Sequence, residues 1–331
     1  MEKNKFGATW SYLPEGCKLC LKGAKLVLFI TGKCDSNCWY CPISFERKNK
    51  NLIYANERPV KNPEEAAEEA IEMNALGVGI TGGEPLLAIK TVVKYLKFLK
   101  NKFGKNFHAH LYTYSNLVNE KNIKELEEAG LDEIRFHSLN GIEHALKSKM
   151  SVGIEVPVIP GQKDYLKKIV NFCSKNNIFL NLNEFEFSDT NIEELEKRNF
   201  KHPEFSYAVE GSKKLALEII RYAISKNVKI NFCSLQNKYY GQLNERNKRR
   251  ADIIKKPWQE IDENGMLVFG ALECDEEMAK KLNLYYDEKE KYAECNLKDL
   301  KSLAKKYKLK AYKIILYPTY NPWVFEKDPV N

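Results

Sequence analysis

Long apolar runs are missing from this chain of 331 residues. The most apolar stretch, Leu26 to Thr31, is far too short to cross a bilayer, and residues 1–16 hold no apolar segment of the kind a signal peptide needs. Internal repeats and low-complexity tracts are also absent. No membrane contact is expected, and the expected location is the cytoplasm, where thiols stay reduced. A large charge imbalance is lacking too. The 53 Lys and Arg against 45 Asp and Glu leave +8, which fits a well-solvated, Lys-rich surface and leaves room for an anionic partner such as RNA. What the chain does have is apolar content of 44%, enough for the core of one large domain, or of one domain with a smaller appendage.

It also has nine cysteines. In a reducing compartment, an odd number of cysteines argues for metal or redox chemistry rather than a disulfide framework. Five of them fall between positions 17 and 41; Cys173, Cys233, Cys274 and Cys295 are scattered.

After the cysteine-rich segment, short runs of β-branched and aromatic residues alternate with longer helical patterns. Strands are expected at 25–31, 77–81, 108–114, 133–138, 153–159 and 178–186. Helices are expected at 62–75, 87–102, 120–129, 141–149, 163–176 and 212–226, with Pro63 in a first turn and Gly130 as a C-cap. This alternation predicts an α/β fold of parallel strands with right-handed crossovers: a partial or complete TIM-like (β/α)6 barrel, or else a doubly wound sheet. VKINFC (228–233) is a further possible strand. The organisation expected is an N-terminal extension carrying a Cys-x2-Cys pair (1–21), a barrel-like domain (22–240) and a small C-terminal α+β cap (241–331). Ligands gather at the C-terminal strand ends in either fold.

Cys34, Cys38 and Cys41 form Cys-x3-Cys-x2-Cys directly after the first strand. Three thiolates on one short loop can hold three irons of a cubane and leave the fourth open to a ligand. Tyr40, just before the last cysteine, can cover a cluster or pack on a nucleoside. A zinc loop would need a fourth ligand from elsewhere. At the end of the second strand, Gly82 and Gly83 let the backbone approach a ligand, Glu84 would point into the barrel mouth and Pro85 opens the next helix. Thr113, Ser115 and Asn116 follow the third strand, Arg135, His137 and Ser138 the fourth, residues 152–161 the fifth, and Asn181, Asn183, Glu184 and Glu186 the sixth. Polar groups on strands that should be buried are expected to line a pocket.

The cysteine pattern with its aromatic residue, followed by Gly82-Gly83-Glu84 in its own strand-end slot, resembles the radical S-adenosylmethionine (SAM) superfamily. That resemblance implies a [4Fe-4S] cluster on Cys34, Cys38 and Cys41, with SAM on the fourth iron and on Gly82, Gly83 and Glu84, Tyr40 against its nucleoside, and Ser115 and Asn116 on its ribose hydroxyls or carboxylate. It also implies reductive SAM cleavage to a 5′-deoxyadenosyl radical that abstracts hydrogen from a substrate. The stretches 16–32 and 54–60 further resemble an archaeal radical SAM group related to pyruvate formate-lyase activating enzyme, which supplies no substrate. A nucleoside in RNA, a small metabolite and a glycyl-radical protein stay open, as does a reductant such as ferredoxin or flavodoxin. The competing class is a zinc- or iron–sulfur-binding protein without catalysis, serving nucleic-acid binding or electron transfer.

Cys17 and Cys20 form a Cys-x2-Cys pair, and Cys233 is the best candidate to join them at a second metal site holding zinc or an auxiliary cluster; Cys274 and Cys295 are alternatives. Residues 244–256 carry six basic and two acidic side chains, suiting an anionic substrate or a solvated helix face.

Overall fold

The computed structural model describes residues 1–114 and 117–330, in two compact units: 1–71 with 75–242, and 72–74 with 243 onward. The first unit begins with β1 (Glu2–Lys3), β2 (Thr9–Trp10), α1 (Glu15–Leu21), β3 (Lys25–Phe29), β4 (Tyr54–Ala55), β5 (Arg58–Pro59) and α2 (Pro63–Glu72). It continues through β6 (Gly77–Thr81), α3 (Ile89–Phe103), β7 (His108–Thr113), α4 (Glu120–Glu128), β8 (Glu133–Phe136), α5 (Ile142–Ala145) and β9 (Ser151–Val158). The last elements are α6 (Lys163–Asn176), β10 (Phe179–Glu184), α7 (Ile192–Lys197), α8 (Ser212–Ser225) and β11 (Ile230–Cys233).

The protein is a mixed α/β fold with a large, mostly parallel sheet. β3, β6, β7, β8, β9, β10 and β11 pair in chain order, each parallel to the next. Strands in chain order, with helices between, argue against a doubly wound sheet, whose order would reverse at a switch point. Among the described residues seven parallel strands are present rather than six, because 230–233 takes its place beside β10. The sheet is open, so the complete barrel is not formed. Antiparallel β4–β5 covers β3, β2–β1 covers β11, and β1 and β5 are its ends. Short antiparallel covers of this kind protect otherwise unpaired edges. Residues 1–21, expected as an extension, are thus part of this unit: β2 pairs with β11, and α1 packs on β3, β6 and β7.

Alternation along each strand separates two faces. One is apolar: Leu26, Leu28, Val78, Ile80, Leu111, Ile134, Phe136, Ile154, Leu180 and Phe232 are all buried, with helix residues such as Leu96, Leu126, Ile169 and Ile219. The other is polar and also largely buried. It carries His110 and Tyr112, Glu133 and Arg135, Glu155, Asn181 and Asn183, and Asn231 and Cys233. Arg135, 1% exposed, donates to Glu133 Oε1 (2.6 Å) and Glu155 Oε2 (2.7 Å). Asn181 and Asn183 donate to the same Glu155 at 2.6 and 2.8 Å, and Asn231 donates to Asn181. Burial works against ionising Glu155, yet the Arg135 guanidinium and the Asn183 amide hold its pKa at about 2.

The second unit contains α9 (Asn244–Ile254), β12 (Glu260–Ile261), β13 (Leu267–Glu273), α10 (Glu276–Leu282), β14 (Tyr285–Asp287), β15 (Tyr292–Cys295), α11 (Leu297–Tyr307), β16 (Ala311–Tyr317) and β17 (Trp323–Pro329). Its antiparallel sheet runs β14-β15-β13-β16-β17, with β12 paired to β13. Phe269, Ala271, Tyr292 and Ile314 form one core; Leu272, Cys295, Leu300 and Ala311 form another. The basic side chains in 244–256 pair locally: Lys248 with Glu245, Arg249 with the Met73 and Asn74 carbonyls, Arg250 with Glu72, Lys255 with Asp252 and Lys256 with Glu294. The reading of this segment as a grip on an anionic substrate therefore loses ground to local pairing.

Arg135→Met should cost about 3–5 kcal/mol in urea unfolding, because it leaves Glu133 and Glu155 buried without their cation. The Glu155 carboxylate, depressed to about 2 from 4.5, contributes stability that is complete above pH 4.5 and lost as pH falls toward 2. Glu155→Gln should flatten that acid limb, as read by fluorescence-monitored pH titration.

Candidate functional site

The cysteine loop leaves β3 and returns at β4. Its neck is closed by Gly32, whose N–H donates to Lys50 O (2.8 Å) and whose carbonyl accepts from Asn49 N (2.9 Å). A side chain at Gly32 would have its Cβ 1.6 Å from Arg47 O, so only glycine fits where the two strands of the loop cross. Cys34, Cys38 and Cys41 are free and half-buried. Cys41 N bonds Cys38 O (3.1 Å), a turn that holds the second and third cysteines together.

Gly82-Gly83-Glu84 runs along the start of this loop. Gly83 N donates to Thr31 O (2.7 Å) and Glu84 N to Lys33 O (2.8 Å). A Cβ at Gly83 would lie 2.3 Å from Lys33 O. The close approach that glycine permits here is thus to the cysteine loop itself. Glu84 is fully buried, contrary to a carboxylate reaching freely into the mouth of a barrel. It accepts from Thr113 Oγ1, Leu86 N and Tyr114 N, each at 2.9 Å. It ties the end of β6 to the end of β7 and caps the 3-10 turn opened by Pro85. Burial raises its pKa against these three bonds.

A third attachment was invisible in the sequence. Trp39 stacks on Phe200 with ring centroids 5.9 Å apart, and Tyr40 meets Phe185 edge-on at 6.1 Å. Thr190 Oγ1 donates to Cys41 O (3.0 Å) and Asn191 Nδ2 to Tyr40 O (3.2 Å). These partners lie about 150 positions away in the chain and carry no motif. Burial raises the thiol pKa of Cys34 and of Cys38; the Ser36 N–H works against it at Cys34 and the Tyr40 hydroxyl at Cys38.

Beside the loop, Tyr40, Tyr114, His137, Ser138, Val156 and Tyr165 line a cleft of about 470 Å³, with Gly161 and Gln162 at its edge. The structure therefore brings Tyr40 together with His137 and Ser138 after the fourth strand and with the fifth-strand segment, whereas Arg135 lines a different cavity. Ser115 and Asn116, also expected to contact the cofactor, lie outside the described residues. The sixth-strand group goes elsewhere: Asn181 and Asn183 bind Glu155, Glu184 accepts from Leu235 N (2.7 Å), and Glu186 pairs with Lys238 (2.8 Å).

Cys17, Cys20 and Cys233 all line a second cavity, of about 210 Å³, on the polar face of the sheet. Cys274 and Cys295, the alternatives, belong to the second unit. Among the described residues, the set whose ligand atoms lie within 4.8 Å of one another is His108, His110 and Glu133. Arg135 already supplies the cation there, bonded to Glu133. Neither cysteine triad gathers so closely, so neither is preset for a single ion. A four-iron cubane places each thiolate on a different iron and holds them farther apart. A donor set of three thiols with no imidazole or carboxylate suits iron and sulfide chemistry.

A radical SAM superfamily model matches residues 28–137, from within β3 to just past β8. The chain is 45% identical over 282 residues to a Methanocaldococcus jannaschii protein named "Putative glycyl-radical enzyme activating enzyme", covering 80% of this chain and 75% of that one. This chain belongs to the radical SAM superfamily and is an enzyme; the cofactors of that class are a [4Fe-4S] cluster and SAM. A PqqA peptide cyclase of Gluconobacter oxydans is 31% identical over 112 residues, 33% of this chain and 28% of that one. A solved radical SAM methyltransferase, TsrM from Kitasatospora setae, aligns at TM-score 0.39 and 10% identity over 73% of this chain and 53% of that one, too remote to bear on the fold. Among the described residues no helix is long and apolar enough to cross a membrane.

Gly83→Ala drives a Cβ into backbone, which cannot rotate away. It should cost about 1–3 kcal/mol in thermal or urea unfolding and lower the iron bound per chain after anaerobic reconstitution, whereas Gly104→Ala, where a Cβ meets nothing within 4 Å, should leave iron content unchanged.

Proposed function

We propose that Cys34, Cys38 and Cys41 hold three irons of a [4Fe-4S] cluster on a partial, TIM-like barrel, and that SAM binds the fourth iron within the cleft beside Tyr40. The observation that carries this reading is the double hydrogen bond from Gly83 and Glu84 to the neck of the cysteine loop, which joins the two sequence signatures into one site. When bound, the reduced cluster supplies the electron that breaks SAM into methionine and a 5′-deoxyadenosyl radical able to take hydrogen from a substrate. The chain's own residues position and shield. Glu84 uses three of about four carboxylate acceptor sites on protein donors, leaving one on Oε2 for the amino group of SAM. Gly82 and Gly83 set the distance between that acceptor and the loop. Tyr40, with its hydroxyl on Cys38, and Tyr114 wall the cleft and keep water from the reactive centre. Ser115 and Asn116 remain candidates for the ribose or carboxylate of SAM.

The substrate class this reading favours is a glycyl-radical protein. Its support is the name of the relative that matches four-fifths of the chain. RNA and a small metabolite keep only their chemical compatibility, since the basic segment that leaned toward RNA is locally paired. A ferredoxin or flavodoxin would deliver the electron, and a cytoplasmic location fits nine free thiols.

Anaerobically reconstituted, dithionite-reduced protein given SAM should release 5′-deoxyadenosine, and Cys38→Ala should reduce the yield to that of SAM alone. No release by the wild type, together with no change in the cluster's electron paramagnetic resonance on adding SAM, would sink the assignment.

A further inference from the structure

Of the six cysteines that the site described above leaves unused, three come together. Cys17 and Cys20 stand one turn apart on α1, and Cys233 ends β11 more than two hundred positions later, yet all three line one cavity. Two of the three sulfurs are met by N–H donors. Arg135 Nη1 (3.4 Å) and Asn231 Nδ2 (3.6 Å) point at Cys17. Lys25 lines the cavity with Cys20 and donates to the Tyr112 hydroxyl (3.4 Å). Gln242 Nε2 (3.2 Å) and Asn237 Nδ2 (3.6 Å) point at Cys233. Burial pushes the Cys17 and Cys233 thiols up; the Arg135 charge at Cys17, and the Lys238 charge and Asn237 amide at Cys233, work against it. Three cations, Lys25, Arg135 and Lys238, line the same cavity. Lys238 is paired with Glu186 and Arg135 with Glu133 and Glu155, so the positive charge is partly offset but close at hand.

We propose that Cys17, Cys20 and Cys233 ligate a second [4Fe-4S] cluster on the polar face of the sheet, with one iron free of protein thiolate. Three observations carry this. The donor set is all sulfur: the carboxylate in the cavity, Glu155, is committed to Arg135, Asn181 and Asn183. The sulfurs surround a cavity but do not converge within 4.8 Å, which suits a polynuclear cluster rather than the compact tetrahedron of a single zinc ion. A cluster held by three thiolates is anionic, and burying an anion needs the cations and N–H groups found here. A disulfide between Cys17 and Cys20 would leave Cys233 and its two donors without purpose. Ligation takes up iron and sulfide and releases one proton from each thiol.

This inference goes beyond the SAM site and does not depend on it. The test is iron, acid-labile sulfide and zinc per chain, with Mössbauer spectroscopy, on the full-length protein reconstituted anaerobically with iron and sulfide. The wild type should hold about eight irons and eight sulfides, and Cys34→Ala/Cys38→Ala/Cys41→Ala about four of each as a [4Fe-4S] signal. Cys233→Ser, a single conservative change, should lower the wild-type count toward about four, leaving the Cys34 cluster in place. A wild type with about four irons, all lost from the triple variant, overturns the proposal and leaves the radical SAM site standing. About four irons in the wild type that survive in the triple variant would support the second cluster and sink the first assignment instead. One zinc per chain that Cys233→Ser removes would also overturn it. About eight irons in the wild type support the proposal even if the triple variant fails to fold; at about four, Cys233→Ser decides in its place, iron lost supporting the second cluster and iron kept overturning it.

Discussion

Two backbone hydrogen bonds, from Gly83 to Thr31 and from Glu84 to Lys33, decide where the three cysteines sit. A loop of this length between β3 and β4 has no secondary structure of its own, and ordering it costs conformational entropy. The stitch to the end of β6 fixes one side of it, Gly32 closes its neck, and Thr190 and Asn191 hold the far side through the carbonyls of Cys41 and Tyr40. Thiols tethered at three places can present one geometry to a metal cluster before it binds. The glycines are required because the stitch brings two backbones to a separation that excludes a Cβ. Glu84 then transmits the position of β7 to the loop, since its carboxylate is anchored by Thr113 and Tyr114.

The polar face of the sheet is the second organising feature. A buried Arg with two carboxylates is no sure source of stability, because desolvation opposes the attraction. Here the network crosses four adjacent strands, from Arg135 on β8 through Glu155 on β9 and Asn181 on β10 to Asn231 on β11. A network of that kind fixes the relative register of four strands in a way an apolar face would not, because a one-residue slip would send each of these groups to the opposite side.

Much of this was legible in the sequence, for reasons that differ by residue. The strands and helices of the first unit follow from clean alternation between β-branched runs and amphipathic segments, and Pro63 and Gly130 mark ends as their backbone chemistry dictates. The cysteine triad and Gly82-Gly83-Glu84 were readable because both are local and both fall at strand ends. The burial of Glu84 and its three protein donors were not legible, since they come from Leu86 beside it and from Thr113 and Tyr114 at the end of the next strand. Phe185, Thr190 and Asn191 could not be found, since a docking contact across 150 positions leaves no periodicity. β17 escaped notice because its residues are largely exposed, which erases the burial pattern that reveals a strand. The basic run in α9 showed charge but not the carboxylates and carbonyls it would meet.

The pairing of β2 with β11 has a temporal side. Ser11 and Ile230 exchange hydrogen bonds across 219 positions, so β2, made well before its partner, has no edge to join until β11, the last parallel strand described, has left the ribosome. Contacts of such separation form late and slowly. During that interval α1 lacks the β11 side of its surroundings, and Cys17 and Cys20 wait in solvent without Cys233. For a cell making this protein, the vulnerable moment for oxidation or mismetallation is therefore set by translation time, and metal delivery is best timed to follow the emergence of β11.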